Sequence, residues 1–194
     1  MEKMEQDIYY SDLDKQMISP TKLGWVGSES LNALVQGFYQ PTHKPFIEIE
    51  RHTWSSLDSL SVYVGDKVIF TVNNYNLEVF NGETGIVKEI DEAQQIIIDF
   101  SDREVTIPPL LEVDTKYGSA YINPQKDIDL AYVITTHKAQ GSEYEEVVYI
   151  MNKSRTWTLN RKNFYTGTSR AKKHVTVITD QRALQLSLLK KGDW

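Results

Sequence analysis

The 194-residue sequence contains no cysteine. That excludes disulfides and thiolate metal sites, and it fits a reducing, cytoplasmic setting. Its four histidines, His43, His52, His137 and His174, are scattered without the spacing of metal ligands, so no metal site is expected. No apolar run approaches the roughly 18 residues of a membrane-spanning helix, and no membrane partner is expected. The opening residues Met1 to Asp7 are polar and acidic, unlike a secretory signal. No Gly-x-x-x-x-Gly-Lys-Ser/Thr occurs, so the backbone cradle of a P-loop is missing. The acidic pair Asp91-Glu92 falls in a predicted turn rather than after a buried strand, where a magnesium-holding acid would stand.

Positive charge is also in short supply, with 21 Lys and Arg against 27 Asp and Glu, a net charge of −6. Bulk electrostatic coating of nucleic acid is disfavoured by that balance. The distribution says more. Between Val147 and Thr179 there is no acid, while Lys153, Arg155, Arg161, Lys162, Arg170, Lys172 and Lys173 all fall there. The stretch reads either as a solvated charged face or as a surface for anions.

What is present has two grammars. Gln16 to Pro20 reads as a short strand, followed by a glycine-containing loop from Lys22 to Gly27. Ser28 then reads as the N-cap of a helix with Leu31, Leu34, Val35 and Phe38 on one face, and Pro41 just past its end. Strand, loop and helix in that order is an α/β layer. From about 62 to 113 the pattern becomes a meander of short strands. It begins at Lys67 to Thr71, passes through Leu77 to Phe80 and an Asn81-Gly82 hairpin signal, and closes at Pro108-Pro109. A small barrel or sandwich is expected there. The α/β grammar then resumes with apolar strands at Tyr132 to Thr135, Val147 to Met151 and Val175 to Ile178. Helical character lies over Leu159 to Lys172, and Asp180 caps a last helix. The β-rich block therefore reads as an insertion into an α/β domain.

Two polar stretches could carry chemistry. Thr135 to Tyr144 follows an apolar strand, where open α/β sheets place ligands. Its Thr136, His137, Lys138 and Gln140 can donate to phosphate or ribose oxygens, and Gly141 allows close backbone approach. In Phe164 to His174, small residues lead to Arg170, a guanidinium that could reach a phosphate on a neighbouring domain. The plain alternatives are a polar loop and a basic helix end. Trp157, between Arg155 and Arg161, reads first as a packing residue and second as a base-stacking one.

Together these stretches resemble a known family. Thr136-His137-Lys138-Ala139-Gln140-Gly141-Ser142-Glu143 resembles motif V of superfamily-one helicases, and Tyr165-Thr166-Gly167-Thr168-Ser169-Arg170-Ala171 resembles their motif VI. Gly65 to Gly85 resembles the start of the SH3-like insertion of the RecD/TraA-like branch. Gln16 to Gly27 with Leu31-Asn32 resembles the entry into that branch's second RecA-like domain. The resemblance covers about residues 10–180. It departs from the family at Thr168-Ser169, where an aliphatic residue and threonine are more usual.

The resemblance implies an α/β, RecA-like (P-loop NTPase-type) parallel-sheet domain that lacks the P-loop and is interrupted by a small SH3-like β-barrel. Residues 1–61 and 114–194 would form the sheet domain and 62–113 the barrel. Arg170 would be the catalytic arginine finger. Gly141, Glu143 and Gln140 would lie on the nucleotide side, with Glu143 near the ribose. Thr136 and His137 would face single-stranded DNA, and Lys22 would contact phosphate or DNA. ATP and Mg2+ would be bound mainly by an N-terminal RecA-like domain not represented in this sequence. The implied activity is ATP-dependent 5′ to 3′ translocation on DNA by the whole motor, with this part inactive alone. A helicase-derived module that binds single-stranded DNA or protein without catalysis is the competing reading.

Overall fold

The computed structural model describes residues 12–39, 45–52, 57–116 and 118–191. The acidic lead Met1 to Asp7, Pro41 and His43 lie outside the described residues. The chain divides into two compact units, Met1–Tyr39 with Tyr132–Trp194, and Gln40–Ala131.

The first unit is built on four parallel strands. They are β1 (Lys15–Ser19), β11 (Val133–Thr135), β12 (Tyr144–Ile150) and β13 (Ala171–Ile178), in the order β11-β1-β12-β13. The hydrophobic, β-branched residues of the three inner-numbered strands explain the layer: Ile18, Val133, Ile134, Val147 and Tyr149 are all buried. Helix α1 (Ser28–Tyr39) packs on β11, α2 (Arg161–Thr168) on β12, and α3 (Gln181–Leu189) on α2. Asp180 caps α3 as expected, accepting the Ala183 N–H at 2.9 Å.

Three local expectations differ from the structure. Ser28 is already helical rather than the cap. The apolar stripe of α1 does not face the sheet: Leu34 and Phe38 are exposed, while Ser28 and Asn32 are buried. The reason is that β11 is an edge strand whose outward backbone groups need a polar partner, and Asn32 supplies it. Strand β13, expected to be buried, is the opposite edge, with Val175 and Ile178 exposed.

The second unit holds a five-stranded antiparallel sheet in the order β10-β4-β5-β6-β7. Its strands are β4 (Lys67–Phe70), β5 (Thr84–Ile90), β6 (Ile96–Asp99), β7 (Glu104–Ile107) and β10 (Ile128–Leu130). The unit is wider than the 62–113 block read from the sequence. Hairpin β2 (Phe46–His52) and β3 (Leu57–Tyr63) adds Ile47, Ile49 and Val62 to the core around Phe70, Ile96 and Ile98. Past Pro108-Pro109 the chain makes a second hairpin, β8 (Leu111–Thr115) and β9 (Gly118–Ile122), and returns as β10 to pair with β4. The Asn81-Gly82 turn does not join two hairpin strands. Leu77 to Phe80 is loop, β5 pairs with β4 instead, and the Gly82 N–H donates to the Phe70 carbonyl at 2.8 Å.

Candidate functional site

All four strands of the first unit run the same way, so their N-terminal and C-terminal ends define two separate edges. The segment 136–143 leaves β11 at its C-terminal end and enters β12 at its N-terminal end. It therefore spans the sheet, and its two halves serve different edges.

At the N-terminal edge, Arg170 stands one residue before β13, at the end of α2. Its carbonyl accepts the Tyr144 N–H at 2.9 Å. The guanidinium folds back on its own domain. Nε donates to the Thr166 carbonyl (3.1 Å), Nη1 to the Ser142 carbonyl (3.3 Å) and Nη2 to Ser169 Oγ (3.2 Å). A guanidinium has five N–H donors, so these bonds fix its plane without exhausting it. Beside it, Glu143 and Lys172 form an exposed ion pair at 3.5 Å. Gly141 is exposed with a φ of +88°, in open space. Gln140 is exposed on the same turn. Burial pushes the Tyr144 phenol up, opposed by a Ser142 hydrogen bond and the Arg170 charge. Glu143 and Arg170 are thus brought together, with Gly141 just ahead of them on the segment.

At the C-terminal edge, the Thr136 N–H donates to the Ser19 carbonyl at 2.9 Å. Thr136 is buried, and its hydroxyl lies 3.3 Å from the Tyr149 hydroxyl. In this placement it fixes the start of the segment from within. His137, next to it, is exposed. Lys22 is also exposed, on the loop leaving β1, and pairs with Glu29 at 3.1 Å. That loop is tied down by Ser19 Oγ, which donates to the Val26 carbonyl at 2.6 Å, and by Asn163 Nδ2, 3.4 Å from the Pro20 carbonyl. Trp25 and Arg155 at this edge were not singled out from sequence. The glycines on both sides of Trp25 in Gly24-Trp25-Val26-Gly27 were the signal available. Among the described residues no three His, Asp or Glu side chains converge to hold a metal ion, so the donor set does not fit Mg2+.

A parallel sheet flanked by helices, with polar turns at its edges and no phosphate loop of its own, is a RecA-like domain of the helicase type. Residues 130–178 match the family model of the UvrD-like helicase C-terminal domain, and residues 31–100 match that of the ATP-dependent RecD-like DNA helicase SH3 domain. The chain therefore combines a UvrD-like helicase C-terminal domain with the SH3-like domain of RecD-like helicases. It is 29% identical over 157 residues to the ATP-dependent RecD2 DNA helicase of Deinococcus radiodurans, covering 81% of this chain and 19% of that protein. It is 29% identical over 118 residues to the RecBCD enzyme subunit RecD of Mycolicibacterium smegmatis, covering 61% of this chain and 18% of that protein. The chain thus spans about a fifth of the length of these curated relatives. In fold it is similar to the Pif1 helicase from Bacteroides in complex with ADP-AlF3 and single-stranded DNA. The TM-score is 0.58 at 21% identity, covering 89% of this chain and 42% of that one. No helix among the described residues is long and apolar enough to cross a membrane.

Proposed function

We propose that this chain is the second RecA-like half of an ATP-dependent DNA helicase that translocates 5′ to 3′ on single-stranded DNA. Arg170 is its arginine finger, directed at the γ-phosphate of an ATP whose phosphates and Mg2+ are held by the P-loop of an N-terminal RecA-like domain. Gly141, Glu143 and Gln140 border the nucleotide, and Thr136, His137 and Lys22 define the DNA edge. The observation that carries the reading is the spanning segment 136–143. Its far end accepts from the Arg170 guanidinium through Ser142, while its near end is fixed at Ser19. Such a segment gives the nucleotide edge and the DNA edge one shared element, which a motor coupling hydrolysis to movement requires.

The division of labour follows from the chemistry. Phosphoryl transfer is accelerated mainly by positioning and by neutralising charge, and an arginine finger contributes roughly 10³–10⁵ in rate. Without a phosphate cradle or a metal-holding acid, this half alone does not turn over ATP.

DNA-stimulated ATP hydrolysis is the test, measured on this chain alone and on the full helicase polypeptide that carries it. Hydrolysis is expected only in the latter, and Arg170→Ala there lowers kcat by about 10³ with ATP still bound. A folded full polypeptide without DNA-stimulated hydrolysis sinks the motor reading. The domain would then be a helicase-derived module for binding single-stranded DNA or protein.

A further inference from the structure

We propose that Trp25 and Trp157 form a base-stacking platform for single-stranded DNA, braced by Arg155. The inference rests on the DNA reading above and adds residues that the motif resemblance does not supply.

Strands β1 and β12 are neighbours, and the loops leaving their C-terminal ends carry the two tryptophans. Trp25 is 88% exposed and Trp157 60% exposed. An indole is among the most costly groups to leave in water, so two on one edge mark a contact surface. Arg155 links the loops. Its guanidinium carbon lies 4.9 Å from the centre of the Trp157 ring, a cation–π contact that covers one face and leaves the other for a base. Its Nε lies 3.2 Å from the position a Cβ on residue 24 would take, and Gly24, with a φ of +99°, has none. The stem of this arrangement is rigid. Thr158 Oγ1 donates to the Arg155 carbonyl at 2.9 Å, and Asn163 Nδ2 lies 2.9 Å from the Thr158 carbonyl as well as near Pro20.

The surrounding charge selects the partner. Lys153, Arg155, Arg161 and Lys162 surround Trp157 in sequence with no acid between Val147 and Thr179. The nearest acids in these loops are already engaged, Glu29 with Lys22 and Asp180 with the Lys153 N–H. Aromatic faces interleaved with unopposed cations fit stacked bases on a phosphate backbone. Phosphates supply affinity at any sequence, and the indoles add a contact that tolerates every base.

The experiment measures binding of the full chain to a labelled oligo-dT of about ten nucleotides at low salt, beside an abasic strand of equal length. Wild type is expected to prefer oligo-dT by tenfold or more. Trp25→Ala and Trp157→Ala each lose about five- to a hundredfold for oligo-dT and little for the abasic strand, whereas Trp25→Phe and Trp157→Phe retain most of the affinity. Both side chains are exposed, so the far-UV spectrum stays that of wild type. Equal binding of the two strands by wild type, or alanine variants that bind oligo-dT as wild type does, overturns the platform and leaves the DNA reading standing. A folded wild type that binds neither strand removes the DNA reading itself and the platform with it, and makes the tryptophans a protein contact.

Discussion

The Asn32 carboxamide closes a two-bond ring on the backbone of Val133: Nδ2 donates to its carbonyl at 2.9 Å, and Oδ1 accepts its N–H at 2.8 Å. Helix α1 thereby behaves as one more strand along the β11 edge, at a single residue. Replacing Asn32 with alanine leaves a buried donor and acceptor without partners, at a cost of about 2–3 kcal/mol. Leucine at the same position does not restore the loss, because the deficit is in hydrogen bonding. Urea unfolding of the two variants checks this, and a loss under about 0.5 kcal/mol would mean water replaces the amide.

Gly167 sits where α2 meets the sheet. A Cβ there would lie 2.2 Å from Tyr149 Cε2 and 2.7 Å from Cδ2, and that ring is buried. Gly167→Ala is therefore expected to destabilise the domain by about 1–3 kcal/mol despite the better helix propensity of alanine. Trimming the ring with Tyr149→Val relieves the clash. The double variant should be more stable than the sum of the single losses, a coupling that a double-mutant cycle measures directly.

Tyr149 also gives the domain an alkaline limit. Burial pushes its phenol up to about 12, partly opposed by the hydrogen bond with Thr136. The native state then holds a proton that the unfolded chain releases near pH 10. Its contribution is fully present below about pH 10 and is lost as pH rises toward about 12, by up to roughly 3 kcal/mol. Unfolding free energies at pH 8 and pH 11 should differ more in wild type than in Tyr149→Phe. Equal slopes in the two proteins would show that the phenol titrates normally.

Glu143 and Lys172 test whether an exposed pair serves function rather than stability. Both side chains are more than half exposed, so Glu143→Gln is expected to change unfolding free energy by less than about 0.5 kcal/mol. In the full helicase the same change should raise the KM for ATP about fivefold, as for one lost hydrogen bond. An unchanged KM removes Glu143 from the nucleotide site.

The positions of these residues were legible in the sequence to different degrees. The α/β–β–α/β order, the strand at Gln16, the meander between Lys67 and Ile107 and the Asp180 cap follow from periodicity and capping chemistry, which act over a few residues. The placement of α1 did not. Its Leu31-Leu34-Val35-Phe38 stripe has ideal helical spacing, yet the buried face is the one bearing Asn32, because the demand comes from a strand about a hundred residues away. The limits of the second unit were misjudged for the same reason: β2, β3 and β10 join it through pairing and burial that no local window contains.

The sequence by itself determined the class of each element, the lack of a phosphate cradle, and the concentration of positive charge between Val147 and Thr179. Those are properties of residue type and short-range spacing. Only the tertiary structure decided that Arg170 turns back to Ser142, that Thr136 faces inward, and that Trp25 and Trp157 stand exposed on loops linked by Arg155. Side-chain direction at a loop is set by which distant backbone carbonyl or ring is within hydrogen-bond or packing reach. The parallel order of β11, β1, β12 and β13 fixes that reach once the chain is folded.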